Sequence, residues 1–317
     1  MRISEYFQTT LGSPLIHHID DFQKSFAQEM RSSYRALIPS AGIPDPVASI
    51  EQILIPSDEP SRSIPARLYK PLGPDLSRKL PMVLFIHGGG FVSGDLDTHD
   101  VLVRAICNGV QAVVVSVDYR LAPEFPFPSG LEDSYTALQW MSSEADTLNG
   151  DNTCIAVAGD SAGANFAAII AILAREIGDV KLAAQWLMYP TTIDKMDTES
   201  WKKFGDTYFP TKAVMDGVRK AYIPENISPS NTYLAPLFAD LKSLPPALLQ
   251  VGGLDPLQDE NVLYAEALKK AGGDAQVIIY ENQQHGFIQF YKDKVQHPKG
   301  EEALKVGLDF LNSYLNK

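Results

Sequence analysis

Short apolar runs rich in β-branched residues recur along most of the 317-residue chain, with helical patterns between them. Eight of these runs predict strands, at residues 52–55, 64–69, 82–87, 112–117, 153–158, 182–188, 247–252 and 275–280. Several are almost unbroken, such as Val83-Leu84-Phe85-Ile86 and Val113-Val114-Val115. Unbroken apolar runs mean burial on both faces, as in a parallel sheet covered by helices. The first two runs are more polar and lie close together, which fits an antiparallel edge. Helical patterns fall at 99–109, 132–141, 162–177, 260–271 and 301–315. In the last, Leu304, Leu308, Leu311 and Leu315 form one stripe, as on a surface helix lying against a sheet. Strands alternating with helices predict right-handed crossovers and one doubly wound α/β domain.

Two regions break the rhythm. Residues 1–45 include an amphipathic helix with Ile19, Phe22, Phe26 and Met30 on one face. Residues 191–235 carry Trp201, Phe204, Tyr208 and Phe209, then Val214, Met215, Val218 and Tyr222. Ligands of open α/β sheets bind beyond the C-terminal ends of the strands. A helical insertion after the 182–188 strand would emerge at that edge. We therefore expect 1–45 and 191–235 to form a cap, and 46–190 with 236–317 to form the catalytic domain. Ordinary outer-layer helices are the plainer alternative.

A net charge of −12 argues against nucleic acid, whose phosphates need clustered Lys and Arg, and against an anionic membrane surface. No stretch approaches the roughly 18 apolar residues of a membrane span. The start, Met1-Arg2-Ile3-Ser4-Glu5-Tyr6, does not read as a secretory signal. Cys107 and Cys154 are too few for a disulfide framework and are expected to be buried free thiols. The cytoplasm is the default expectation.

The candidate chemistry centres on Gly159-Asp160-Ser161-Ala162-Gly163, placed where the 153–158 strand gives way to a small-residue helix. A serine between glycines at such a turn reads as a nucleophile elbow. Alone the pattern is weak, because chance yields a G-x-S-x-G in roughly one chain in ten of this size. Ser161 needs a base, an orienting acid and an oxyanion hole. Downstream of it stand only two histidines. His285 follows the 275–280 strand and precedes Gly286, where a general base should project, whereas His297 sits in a charged, surface-like stretch. Asp255 stands in the loop after the 247–252 strand, and Pro256 then opens a helix. A role for Asp255 as helix cap alone is the other reading, with Asp259 and Glu260 as rival acids. The order Ser161, Asp255, His285 is the α/β-hydrolase order. The fourth piece is His87-Gly88-Gly89-Gly90-Phe91 at the end of the 82–87 strand. Successive glycines let backbone N–H groups turn toward one point. We expect Gly88, Gly89 and Ala162 to donate to an oxyanion, with His87, Gly90, Gly159 and Gly163 in support. His87 is expected to pin the loop by hydrogen bonding.

Together with Asp118-Tyr119-Arg120-Leu121-Ala122-Pro123-Glu124, these motifs resemble the hormone-sensitive-lipase group of α/β-hydrolases, the bacterial family IV esterases. The match runs in order over about residues 60–315. The resemblance implies an eight-stranded, mostly parallel sheet flanked by helices, with a helical cap. It implies hydrolysis of short- to medium-chain carboxylic esters, a small-molecule substrate, through an acyl-enzyme, with no cofactor and no metal. It also implies cis peptides at 122–123 and 127–128. A homodimer through the 275–280 edge strand would match many relatives, and the oligomeric state stays open. So do amidase, lactonase and true lipase activity. A non-catalytic receptor on the same fold is a further rival, but such receptors lack the triad histidine kept here.

Overall fold

Successive side chains of a strand leave on opposite faces of the sheet, and here both sets are apolar in the central strands. Met82, Leu84 and Ile86 enter one buried core, while Val83 and Phe85 enter another on the opposite face. The computed structural model describes residues 2–11, 19–57, 62–73, 78–193 and 195–316. Its strands are β1 (Ser49–Pro56), β2 (Ser63–Lys70), β3 (Leu80–Ile86), β4 (Val113–Val117), β5 (Gly150–Asp160), β6 (Leu182–Met188), β7 (Ala247–Gly252) and β8 (Ala275–Tyr280). The helices are α1 (Ile3–Leu11), α2 (Asp21–Ala36), α3 (Asp100–Val110), α4 (Ser129–Ser143), α5 (Ala145–Leu148) and α6 (Ala162–Ile177), then α7 (Glu199–Phe204), α8 (Lys212–Tyr222), α9 (Gln258–Lys270) and α10 (Gly300–Leu315).

The strands form one sheet in the order β1-β2-β4-β3-β5-β6-β7-β8. The β1–β2 and β2–β4 pairs are antiparallel, and all later pairs are parallel. The more polar first runs do form the antiparallel edge. Residues of α4, α6 and α9 fill one core, and those of α3 and α10 fill the other. Because β3 and β5 to β8 run the same way, the segments 87–91, 161–163, 253–257 and 281–286 all leave from one edge of the sheet.

Over that edge α2 packs on α8. Gln23 Nε2 donates to Lys220 O at 2.6 Å, and Val218, Ala221 and Tyr222 join the core beneath. Of the apolar stripe expected on α2, Phe26 and Met30 pack against the core, but Phe22 does not. Asp20 caps the helix and Gln23 bonds back to it, which turns Gln23 and Ala27 inward. Phe22 is left 52% exposed, stacked on Phe26 with the Lys220 ammonium over its ring. Part of the expected N-terminal cap, residues 12–18, lies outside the described residues. Both cysteines are free, but only Cys107 is buried. Cys154 is half-buried, because it sits in the outer part of β5 before that strand enters the core.

Candidate active site

Ser161 follows β5 with φ 52° and ψ −119°, a conformation L-residues rarely adopt. The bend is held from two sides. Ser161 N–H donates to Met188 O at 2.8 Å, and the backbone of α6 at Gly163 lies close against the end of β3. A Cβ on Gly163 would lie 2.0 Å from Ile86 O and 2.5 Å from His87 O, so glycine alone fits there. Gly159 faces the same contact from the other side, where a Cβ would meet Gly163 O at 2.5 Å. The elbow places Ser161 at the N-terminus of α6, where backbone N–H groups lack helical partners.

His285 and Asp255 converge on this serine. Ser161 Oγ is 2.9 Å from His285 Nε2, and His285 Nδ1 is 2.7 Å from Asp255 Oδ2. A carboxylate can only accept, so Nδ1 carries the proton and Nε2 is left to accept from the serine hydroxyl. The Tyr189 ring packs against the imidazole with centroids 4.7 Å apart. Asp255 is fully buried, and its other oxygen accepts from Leu257 N–H at 2.9 Å. It therefore orders the turn into α9 and faces the histidine at once. The rival acids are occupied elsewhere. Asp259 accepts from Ser200 N–H at the start of α7, and Glu260 accepts from Thr192 N–H and Trp201 Nε1–H. Burial pushes the Glu260 carboxyl up to about 8. His297 stacks on Phe290, with ring centroids 5.8 Å apart, and makes no bond to the serine.

The glycine loop after β3 requires a correction. Gly88 N–H donates to Asp160 Oδ1 at 2.8 Å, so it is not free to hold an oxyanion. Gly88 also does not line the cavity beside Ser161, whereas Gly89, Gly90 and Ala162 do. The N–H groups of those three find no acceptor among the described residues. The loop N–H groups left without an acceptor beside the cavity, among the described residues, are thus those of Gly89 and Gly90, one position later than expected for Gly88. Gly89 turns the chain at φ 122°, with Ser93 O only 2.1 Å from where its Cβ would be. His87 is buried, stacks on Tyr119 and bonds through Nδ1 to Gly88 O at 2.8 Å. Burial, with the nearby His99, pushes the His87 imidazole down to about 4, so it stands neutral beneath the loop.

The 118–124 segment braces the same loop. Tyr119 Oη donates to His87 O at 2.8 Å, and Ala122 N–H donates to Phe91 O at 2.9 Å. The peptides 122–123 and 127–128 are cis, and so is 209–210, which the sequence reading did not include. Four further residues were missed as well. Arg31 on α2 donates to Val92 O, Ala122 O and Glu124, while Asp160, His99 and Gln289 form a buried polar cluster behind the loop. Asp160 lay inside the recognised pentapeptide. Arg31, His99 and Gln289 carry no local signal.

Above Ser161 lies a cavity of about 290 Å³. Met30 and Leu37 from the α2 region, Val214, Met215 and Val218 from α8, and Phe209 make most of its wall apolar. Two larger clefts, about 630 Å³ beside α7 and α9 and about 380 Å³ beside Arg31 and Glu124, contain neither Ser161 nor His285. Among the described residues, no group of three His, Cys, Asp or Glu could hold a metal ion. No helix among them is long and apolar enough to cross a membrane.

A family profile described as alpha/beta hydrolase fold matches residues 83–289, well over half the chain. The chain belongs to this family. Its fold and the resemblance drawn from its motifs both stand. Carboxylesterase NlhH of Mycobacterium tuberculosis is 42% identical over 257 residues, covering 80% of this chain and 79% of that protein. A hyperthermophilic esterase from the archaeon Pyrobaculum calidifontis superposes with a TM-score of 0.84 at 38% identity, covering 92% of this chain and 93% of that one. The thermostable carboxylesterase EstE1, cloned from a metagenomic library, gives the same TM-score and identity over 92% of this chain and 97% of its own.

Proposed function

We propose that the chain hydrolyses carboxylic esters of short to medium acyl length, with Ser161 as nucleophile, His285 as general base and acid, and Asp255 as the group that orients His285. The observation that carries this reading is the unbroken run of contacts from Ser161 Oγ through His285 to buried Asp255, at the end of an apolar cavity. Esterase relatives at 42% and 38% identity support it.

In this mechanism Ser161 Oγ attacks the ester carbonyl carbon and its proton passes to His285 Nε2. The carbonyl oxygen becomes an oxyanion facing the N–H groups of Gly89, Gly90 and Ala162, aided by the N-terminus of α6. Collapse of the adduct breaks the bond to the alcohol oxygen, which leaves with the proton from His285. Water then attacks the acyl-enzyme, its proton again passing to His285. The carboxylic acid departs and Ser161 recovers its proton. Throughout, Asp255 holds Nδ1–H and stabilises the imidazolium.

Cavity size supports the chain-length part of the reading. At about 290 Å³ the cavity is at the small end for ligand pockets, and its mostly apolar wall favours a compact acyl group beside Ser161. The N-terminal and 191–235 segments act as a cap over this cavity. The outer edge of β8, which pairs with no strand among the described residues, supports a homodimer formed there. A cytoplasmic location completes the reading. The test is a p-nitrophenyl ester series from acetyl to palmitoyl, run on wild type and on Ser161→Ala. We expect a maximum between butanoyl and octanoyl, and a loss of about 10⁴- to 10⁶-fold in the variant. A maximum at palmitoyl would exclude the chain-length reading, and near wild-type turnover in the variant would exclude the mechanism.

A further inference from the structure

We infer that the buried Asp160–His99 pair is a positioning device for the oxyanion loop, clamping it through Gly88 and tying it to the cap through Tyr34. This rests on the proposed esterase mechanism and adds two residues that take no part in its proton relay.

Asp160 and His99 are each only 1% exposed. Asp160 Oδ1 accepts from Gly88 N–H at 2.8 Å and lies 3.0 Å from His99 Nε2. A carboxylate is retained in such a place only when it is paired and hydrogen-bonded. Burial works to raise its titration, but the contacts with His99 and the Gly88 N–H outweigh that and hold Asp160 ionised. His99 is fixed in turn. Its Nδ1 lies 2.8 Å from Thr98 Oγ1, and Tyr34 Oη lies 3.2 Å from its Nε2. Tyr34 donates to Gln289 Oε1 at 2.9 Å, and Gln289 Nε2 donates to Thr98 O at 3.0 Å. The bonds Tyr34–Gln289–Thr98–His99 thus close a ring. That ring joins α2, the start of α3 and the segment after β8 to the residue next to Ser161.

Two consequences follow for the reaction. Gly89 and Gly90 come directly after Gly88, so anchoring the Gly88 N–H fixes where the next two N–H groups sit. A carboxylate so near a developing oxyanion would also oppose it, and the Gly88 N–H and His99 ring nitrogen that meet Oδ1 draw its charge away from the loop. An error of about 1 Å in such an arrangement can cost about 100-fold in rate.

The experiment compares wild type with Asp160→Ala and His99→Gln, using p-nitrophenyl butyrate and per-site rates from active-site titration with a phosphonate. The Asp160→Ala variant loses the one oxygen, Oδ1, that meets both Gly88 N–H and His99 Nε2, and so releases the loop. Its kcat should fall about 10- to 100-fold, the range for a displaced oxyanion donor, with KM little changed. Affinity for a trifluoromethyl ketone, which forms a tetrahedral oxyanion on Ser161, should fall by the same factor as kcat/KM. In His99→Gln the amide N–H can still reach Asp160 without a full charge, so its loss should be smaller. This variant keeps the test decisive if Asp160→Ala fails to fold. Unchanged kcat per titrated site in the folded variants overturns the inference, as does a fall in kcat without loss of ketone affinity. If wild type hydrolyses no ester at all, the esterase reading itself fails, and this inference with it.

Discussion

Replacing Asp255 by Asn tests the proposed relay at a single atom. Asp255 Oδ1 accepts from Leu257 N–H at 2.9 Å, and Oδ2 faces His285 Nδ1 at 2.7 Å, in a site closed to water. Asn has one acceptor to divide between these two donors. The Leu257 N–H can only donate, so the amide oxygen stays with it and the amide NH₂ turns toward His285. Two N–H groups cannot share a 2.7 Å contact. The imidazole therefore shifts its proton, Nδ1 becomes the acceptor, and Nε2–H now points at Ser161 Oγ. A protonated Nε2 cannot take the serine proton. Inverting this tautomer costs about 10⁴-fold in kcat, or about 5 kcal/mol at 1.36 kcal/mol per decade. Shape and volume are unchanged, so the melting temperature should stay within a few degrees. The assay is initial-rate hydrolysis of p-nitrophenyl butyrate, with Asp259→Asn as the companion. Asp259 holds Ser200 N–H at 2.7 Å and does not touch His285, so that variant should keep most of its kcat. The reasoning fails if Asp255→Asn keeps more than a tenth of wild-type turnover, or if Asp259→Asn falls as far.

Two further outcomes follow from packing and from titration. Gly163→Ala would place a Cβ 2.0 Å from Ile86 O and 2.5 Å from His87 O, against main chain that cannot swing aside. It should destabilise by more than about 4 kcal/mol, and a wild-type melting curve would contradict this. Glu260 titrates at about 8 in the folded chain against an ordinary 4.5, because burial disfavours its charge. Between those values the folded state keeps a proton that the unfolded chain has released. Stability should therefore decline as pH rises through that window and level off above about 8. Urea unfolding across that range should show the decline in wild type and a flatter profile in Glu260→Gln. Parallel profiles would remove Glu260 as the cause.

What could be read in advance was local chemistry and strand burial. The run Val83-Leu84-Phe85-Ile86 announces a strand buried on both faces because each of its side chains is apolar, and the two cores confirm that alternation. The turn at Ser161 is equally local, since its glycines lie two residues to either side. Errors arose where a contact spans the chain. Gly88 and Gly89 look alike in sequence, and only the bond from Gly88 N–H to a carboxylate 72 positions away separates them. The α2 stripe was legible only in part. Phe26 and Met30 do pack inward, but Gln23 joins them by reaching Lys220, 197 positions on, while Phe22 stays exposed. His99 had no signal at all, being a single histidine at the head of an ordinary helix.

These long-range contacts also tie the cap to the reaction. Arg31 and Tyr34 stand one turn apart on α2, and both reach down to the loop that follows β3. Arg31 Nε donates to Val92 O at 2.9 Å, and Tyr34 meets His99 behind Gly88. Met30, between Ala27 and these two, faces the cavity itself. One helix thus shapes the space for the substrate and braces the proposed oxyanion donors. A cap that only selected substrates would affect KM and chain-length preference while leaving the turnover of a well-fitting ester intact. A helix that also holds the loop makes the two inseparable. Exchanging residues 19–45 for the cap helix of a relative with another chain-length preference should then change kcat for every ester, including those that fit both cavities. On the proposed reading the N-terminal segment serves the oxyanion loop as much as the substrate cavity.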